Sequence, residues 1–191
     1  LGTALDNLFG AFRDLANDLS NGAVRVSVRQ DAVQLAQQLH TLDNNISSIT
    51  GTARAEFNST IDRINTIASQ LAVLNRQIVA QGGPSHSAPD LEDQRGLLLD
   101  ELGGLVDTRV LNRADGSVGV IVGDTLLVDG GVGQHVESRT RPDGTMGMGI
   151  VGDTRIVEVG SGKLAGLSDT INTAMPAMRA SLDQFAAGLV G

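Results

Sequence analysis

Cysteine is absent from this sequence, which excludes disulfide staples, thiolate metal sites and a cysteine nucleophile, and leaves the redox compartment open. Tryptophan and tyrosine are also missing and phenylalanine occurs only four times, so stacking platforms for bases, sugars or flat cofactors are scarce. Positive charge is in deficit. The 14 basic residues stand against 22 acidic ones, a net charge of -8, and a protein that binds a phosphate backbone needs the opposite balance. Nucleic acid is therefore not an expected partner. No apolar run approaches the roughly 20 residues that cross a bilayer, and no basic-apolar-small leader opens the chain, so membrane insertion is not expected either. The sequence starts at Leu1 without a methionine and stops at Gly191 while an amphipathic pattern is still running, and it reads as an excised fragment.

What the sequence does have is helical periodicity. Over residues 30–81 apolar side chains fall at Leu35, Leu39, Leu42, Ile46, Ile49, Ala53, Phe57, Ile61, Ile64, Ala68, Leu71, Leu74 and Ile78, in steps of three and four. This is one stripe on one helix. The steps of four from Ile49 to Ile61 relax the period towards 3.6, so a nearly straight helix is expected. About 50 residues at 1.5 Å each reach on the order of 75 Å, the length of a rod. Gly51 inside it costs about 1 kcal/mol relative to alanine and marks a place for a bend or fray. A shorter helix is expected over 6–19, with Leu8, Phe12, Leu15 and Leu19 on one face and Ser20-Asn21-Gly22 as its stop. Gln81-Gly82-Gly83-Pro84-Ser85-His86-Ser87 is a loop by composition. Ser87-Ala88-Pro89-Asp90 then starts a third helix with an early proline and an acidic first turn, running to about Leu102 and closed by Gly103-Gly104.

From Val106 to Val159 valine and isoleucine alternate with polar residues or glycine, and Asp-Gly turns occur at Asp115-Gly116, Asp129-Gly130 and Asp143-Gly144. This predicts a β meander with strands near 108–113, 117–122, 125–128, 134–140, 145–151 and 154–159. A fourth helix follows, its stripe formed by Leu164, Leu167, Ile171, Met175, Met178, Leu182, Phe185 and Leu189, with Pro176 inside it and a bend expected there. The predicted fold class is α+β: an elongated helical bundle, or rod, formed by the N- and C-terminal segments (1–105 and 161–191), with an inserted antiparallel β-rich domain (106–160).

Several strings invite a chemical reading, and a structural one outweighs each. Gly147-Met148-Gly149-Ile150-Val151-Gly152 matches a dinucleotide-binding G-x-G-x-x-G, but the segment after it reads as a strand where that site needs a helix. Gly160-Ser161-Gly162-Lys163 lies between a strand and a helix like a phosphate-binding loop. Val157 stands at its first glycine position and Leu164 at its Ser/Thr position, so a flexible exit from the β segment is expected. Asp90, Glu92, Asp93 and Arg95 could be drawn as an acid-base cluster, yet acids at a helix start are explained by the macrodipole. His40, His86 and His135 are scattered, with no second ligand at metal spacing. Asn45-Ile46-Ser47 and Asn58-Ser59-Thr60 fit the glycosylation string but lie within the long helix. Asn65 and Asn75 sit at the stripe edge, where they are either buried amides fixing register between packed helices or solvated side chains; the sequence leaves both readings open. No catalytic residue, cofactor-binding residue or metal ligand is assigned, and no cofactor is expected.

The stretch from Ile61 to Ile78, with Ile64-Asn65, Leu71-Ala72 and Leu74-Asn75-Arg76-Gln77-Ile78, resembles the V-x-x-I-N-x-x-x-x-x-I-A-x-L-N-x-x-I helix of the FlgK family, the flagellar hook-associated proteins of the hook-filament junction. Asp90-Leu91-Glu92-Asp93-Gln94-Arg95-Gly96-Leu97-Leu98-Leu99-Asp100-Glu101-Leu102 is similar to that family's N-D-L-x-D-Q-R-D-x-L-L-x-x-L segment. Asp115-Gly116-Ser117-Val118 and Asp124-Thr125-Leu126-Leu127-Val128-Asp129-Gly130 resemble its D-G-x-V and G-x-x-L-V-x-G hairpin. Gly162-Lys163-Leu164-Ala165-Gly166-Leu167 and Leu182-Asp183-Gln184-Phe185-Ala186 resemble its return helix. Pro89 replaces an asparagine, Gly96 an aspartate and Asp124 a glycine, departures that touch a helix start and a turn.

The resemblance implies a non-enzymatic structural subunit of the bacterial flagellum, secreted through the flagellar type III export channel and therefore extracellular. Its implied partners are copies of itself in a ring, the hook protein and filament-side subunits, and an export chaperone that binds a C-terminal region missing here. The family's terminal segments, which form the coiled-coil inner layer of the tube, are likewise missing. Two alternatives stand beside this reading: another axial protein of the flagellum, flagellin or a hook subunit, and a helical ligand-binding sensor module.

Overall fold

A computed structural model describes residues 1–82 and 88–190 and shows an α+β chain with antiparallel strands. The expected loop over 81–87 lies outside the described residues from Gly83 onward, as do His86 and Ser87. The element order is α1 (Gly2–Asn17), α2 (Gly22–Ala80), α3 (Pro89–Leu105), seven strands, α4 (Gly162–Asp169), a π-helical turn (Thr170–Ala174) and α5 (Met175–Val190). The chain forms two compact units, Leu1–Thr50 with Met175–Gly191, and Gly51–Ala174.

The long helix exceeds its expected span, because Asn21-Gly22 acts as a start as well as a stop. The Asn21 carboxamide oxygen accepts from the Ala23 N–H at 3.0 Å, the N-cap bond that supplies a partner to an otherwise orphaned donor. The helix runs through Gly51 without a break.

In the first unit, Ala4, Leu8 and Leu35 form a small core with Leu5, Val28, Leu39 and Leu189 around it. Arg179 on α5 donates to Asp43 on α2 at 2.9 Å. The expected face of α1 is only partly covered: Leu8 is buried together with Ala4 and Ala11, but Phe12 is 49% exposed, and Leu19, expected in the helix, lies past its end and is 67% exposed. The apolar face of α1 is wider than the part of it that is covered. Leu42 and Ile49 of the α2 stripe are likewise exposed.

The second unit holds the main core. Phe57, Ile64, Ile67 and Leu71 of α2 are essentially inaccessible and pack with Leu102 and Val106, with Leu164 and Ile171, and with Val120, Val128 and Met148 from the strands. Each such side chain contributes roughly 1.5–3 kcal/mol by burial. That scale explains why α3 does not end at Gly103-Gly104. Two glycines cost about 1 kcal/mol each, but the helix continues to Leu105 and places Leu102 and Val106 in full burial.

The strands form two sheets where one meander was expected. β1 (Thr108–Asn112), β2 (Val118–Val122), β3 (Thr125–Asp129) and β4 (Val132–Gly133) make the first, and β5 (Val136–Thr140), β6 (Met146–Ile150) and β7 (Ile156–Val157) the second, every pair antiparallel. The break falls after Gly133, where the chain runs against α2: a Cβ there would stand 3.0 Å from the Ala68 carbonyl oxygen. The last strand is short because Asp153 turns the chain, accepting from the Arg155 backbone N–H at 3.1 Å and its guanidinium at 2.8 Å.

A π turn ends two residues before Pro176, where a bend was expected. Proline has no N–H to donate to the preceding turn, and the helix widens there.

Candidate functional site

Three asparagines tie the sheets of the second unit to its helices, and all three use the same geometry. Asn75 on α2 is fully buried; its amide donates to the Val118 carbonyl at 2.8 Å and to the Gly130 carbonyl at 2.7 Å, and its oxygen accepts from the Val118 N–H at 3.1 Å. Asn65 on α2 donates to the Val136 carbonyl and accepts from the Val136 N–H, both at 2.8 Å. Asn172, inside the π turn, does the same to Met146, both at 2.7 Å. A carboxamide presents one donor and one acceptor side by side, as a peptide group does, so each asparagine continues a strand ladder for one residue. Val118, Val136 and Met146 are the first residues of β2, β5 and β6. The two amides on α2 are thus buried, and what they fix is helix to sheet, not helix to helix.

Arg95 belongs to this arrangement. Its guanidinium donates to the Gly116 carbonyl at 2.8 Å and reaches the Asn75 oxygen at 3.4 Å, so it stands apart from the acids that precede it. Asp90 and Glu92 lie in the first turn of α3 with Pro89 at its start, the macrodipole placement. Glu101 at the other end of α3 pairs with Arg63 on α2 through two contacts of 2.6 Å, and the guanidinium holds this carboxyl below the ordinary glutamate range. Arg76 donates to the Gly131 carbonyl, and a Cβ on Gly131 would stand 2.7 Å from the Arg76 Cγ.

The remaining sequence candidates fall into turns and packing. Gly147 and Gly149 lie in β6, followed by a turn and β7, with no helix at the phosphate-binding position. Their hydrogens leave room for neighbours: a Cβ on Gly147 would meet Ile156 at 2.6 Å and one on Gly149 would meet Arg139 at 2.7 Å. The exit at Gly160-Ser161-Gly162-Lys163, expected to be flexible, is packed. Gly162 has φ +84°, and a Cβ on it would stand 2.7 Å from the Leu105 carbonyl, while Lys163 pairs with Glu56 at 2.7 Å. His40 Nδ1 lies 2.9 Å from the Ala36 carbonyl one turn back, and His135 Nε2 lies 3.4 Å from the Asn65 amide. Asn45 and Asn58 are exposed within α2. Asp115 and Asp143 accept the N–H and hydroxyl of Ser117 and Thr145, which keeps both carboxyls below the usual aspartate range. Among the described residues no group of three or more His, Cys, Asp or Glu is placed to hold a metal ion, and no helix is long and apolar enough to cross a membrane.

Asn172 is the functional residue that sequence reasoning missed. The signal was present: Ile64-Asn65, Leu74-Asn75 and Ile171-Asn172 each put an asparagine directly after a stripe residue, where the side chain flanks the buried face.

The chain as a whole is similar to known proteins. The flagellar hook-associated protein 1 of Bacillus subtilis (strain 168) is 30% identical over 119 residues, 61% of this chain and 23% of that protein. The flagellar hook junction protein FlgK from Burkholderia pseudomallei has the same fold, with a TM-score of 0.77 at 24% identity over 88% of this chain and 32% of that one. The matched regions span 23% and 32% of the length of these two relatives. The family described as the flagellar hook-associated protein FlgK helical domain matches residues 1–191, and the chain belongs to that family.

Proposed function

We propose that this chain is a structural part of the bacterial flagellum, exported to the cell exterior and built into the joint between hook and filament, where copies associate in a ring. The observation that carries this reading is the family match along residues 1–191. The physical arrangement supports it. The strands are fastened to helices by buried amides and a shared apolar core, and such fastening suits a part that transmits force better than one that opens for a substrate. In this reading 1–105 and 161–191 form the helical body, 106–160 is its inserted β domain, and the chain performs no catalysis. Its partners are its own copies, hook protein on one side and filament-side subunits on the other, with an export chaperone acting on a C-terminal region beyond this segment.

The test is location. Antibody raised against this chain, labelled with gold and applied to flagella isolated from the source bacterium, is expected to mark the boundary between hook and filament. Label spread along the filament would assign the chain to a flagellin, label along the hook to a hook subunit, and either result would overturn the proposal.

A further inference from the structure

Building on the self-association just proposed, we infer that the groove between α2 and α3 receives the outer face of α2 from a second copy of the chain, centred on Val26, Arg29 and Val33. The groove has a volume of about 490 Å³ and is lined by Gln70, Val73, Leu74, Gln94, Leu97 and Leu98. Leu97 is 71% exposed, the most exposed large apolar side chain among the described residues, and Val73 beside it is 42% exposed. An apolar groove between two helices is a seat for a third helix.

The rim says what chemistry that helix must carry. Asp93 and Asp100 lie one turn before and one turn after Leu97 on the same surface of α3. Both are exposed, and among the described residues neither takes part in an ion pair, whereas Glu101 is neutralised by Arg63. A partner must therefore bring an apolar side chain with a cation one turn away and no carboxylate beside it.

The chain itself carries that pattern. Val26 and Val33 are 42% and 52% exposed, and Arg29 lies three residues after the first and four before the second. Val28, Leu35 and Leu39, which pack in the first unit, point to the other side of the helix. Arg29 has no ion-pair partner among the described residues, and its neighbours one turn away on the helix, Arg25, Val26, Ala32 and Val33, add no negative charge. With Val33 seated on Leu97, Arg29 falls one turn away. Because Asp93 and Asp100 flank Leu97 on both sides, the cation meets a carboxylate whichever way the helices run. The two surfaces differ, so each copy offers one and accepts the other. A head-to-tail contact of this kind propagates and closes into a ring if the rotation permits.

The absence of cysteine gives a direct experiment. Single variants Val33→Cys and Leu97→Cys, both at exposed positions, are mixed with oxidised glutathione, and formation of the mixed disulfide is followed on non-reducing gels. Val132→Cys, on an exposed strand residue, replaces Val33→Cys as the control. The mixed Val33–Leu97 disulfide is expected to form several times faster than either homodimer or the control pair. Adding Arg29→Glu to the first variant is expected to slow it roughly fivefold, about the limit for an exposed pair, and Asp93→Lys with Asp100→Lys in the second should restore it. Sedimentation of the unmodified chain should show a weight-average mass that rises with concentration and falls with added salt. Coupling of Leu97→Cys to the control as fast as to Val33→Cys, or indifference to the charge reversals, overturns the inference. If gold labelling still marks the joint, that failure condemns this surface and leaves the proposed function standing.

Discussion

Replacing Asn75 by alanine tests the fastening of the first sheet most severely. The change removes two donors and one acceptor and leaves the Val118 N–H, the Val118 carbonyl and the Gly130 carbonyl without their partner in a site with no solvent exposure. A buried polar group left unpaired costs about 1–3 kcal/mol. Arg95, already 3.4 Å from the asparagine oxygen, can swing towards part of the vacated site, so a total of about 3–5 kcal/mol is expected. For a chain of this size that is a fall in melting temperature of roughly 6–20 °C by circular dichroism. Hydrogen exchange of the Val118 amide should accelerate together with that of β2 and β3. Asn75→Asp sharpens the test through pH. It keeps the acceptor for the Val118 N–H but sets a carboxylate at 2.7–2.8 Å from two carbonyl oxygens in a buried site, and burial with this repulsion outweighs the longer 3.4 Å contact to the Arg95 guanidinium, so the folded-state pKa rises above the unfolded value. Such a group is tolerated below the unfolded pKa and loses stability as pH rises through the folded one, so this variant should recover stability on acidification relative to Asn75→Ala. An Asn75→Ala protein within about 1 kcal/mol of the parent, with unchanged exchange at Val118, would refute the reasoning.

Four further outcomes follow from the same contacts. Gly51→Ala should stabilise by about 1 kcal/mol in urea unfolding, because the position is helical and a Cβ there meets nothing within 4 Å. Gly162→Ala should destabilise by more than about 2 kcal/mol in the same assay, since it combines φ +84° with a 2.7 Å approach to the Leu105 carbonyl. Asn172→Ala should loosen the second sheet selectively, with faster exchange at Met146 and Val136 and little change at Val118. The hydrogen bond from Arg155 draws the Asp153 carboxyl from its ordinary 3.8 down to about 2, so its stabilising contribution is complete above the ordinary value and is lost as pH falls towards about 2. Asp153→Asn should therefore flatten the acid limb of the urea midpoint plotted against pH.

The long helix was legible because burial along it is periodic: from Ala53 to Ile78 every predicted stripe residue is buried. Where burial is not periodic, reading by pattern failed. Gly103-Gly104 has the composition of a stop, but the apolar residues on both sides, Leu102 and Val106, hold the helix together across it. Phe12 fits the stripe of α1 and is exposed, since periodicity shows which face is apolar and not how much neighbouring surface exists to cover it, while Leu19 falls past Asn17, where the helix has already ended. The split into two sheets depends on the approach of Gly133 to Ala68, a contact between residues 65 positions apart that local turn chemistry cannot register. The asparagines were half legible. Asn65 and Asn75 stood out in a helix already recognised, but Asn172 is aimed by a π turn, where Pro176 had suggested only a bend.

The claim on which the account rests is that this chain is part of the piece that fastens filament to hook, and deleting the parent gene tests it most directly. The mutant is expected to build hooks of ordinary length, to lack filaments and to release filament protein into the medium. Restoring the gene should return the filaments. A deletion strain that keeps intact, firmly attached filaments would contradict it.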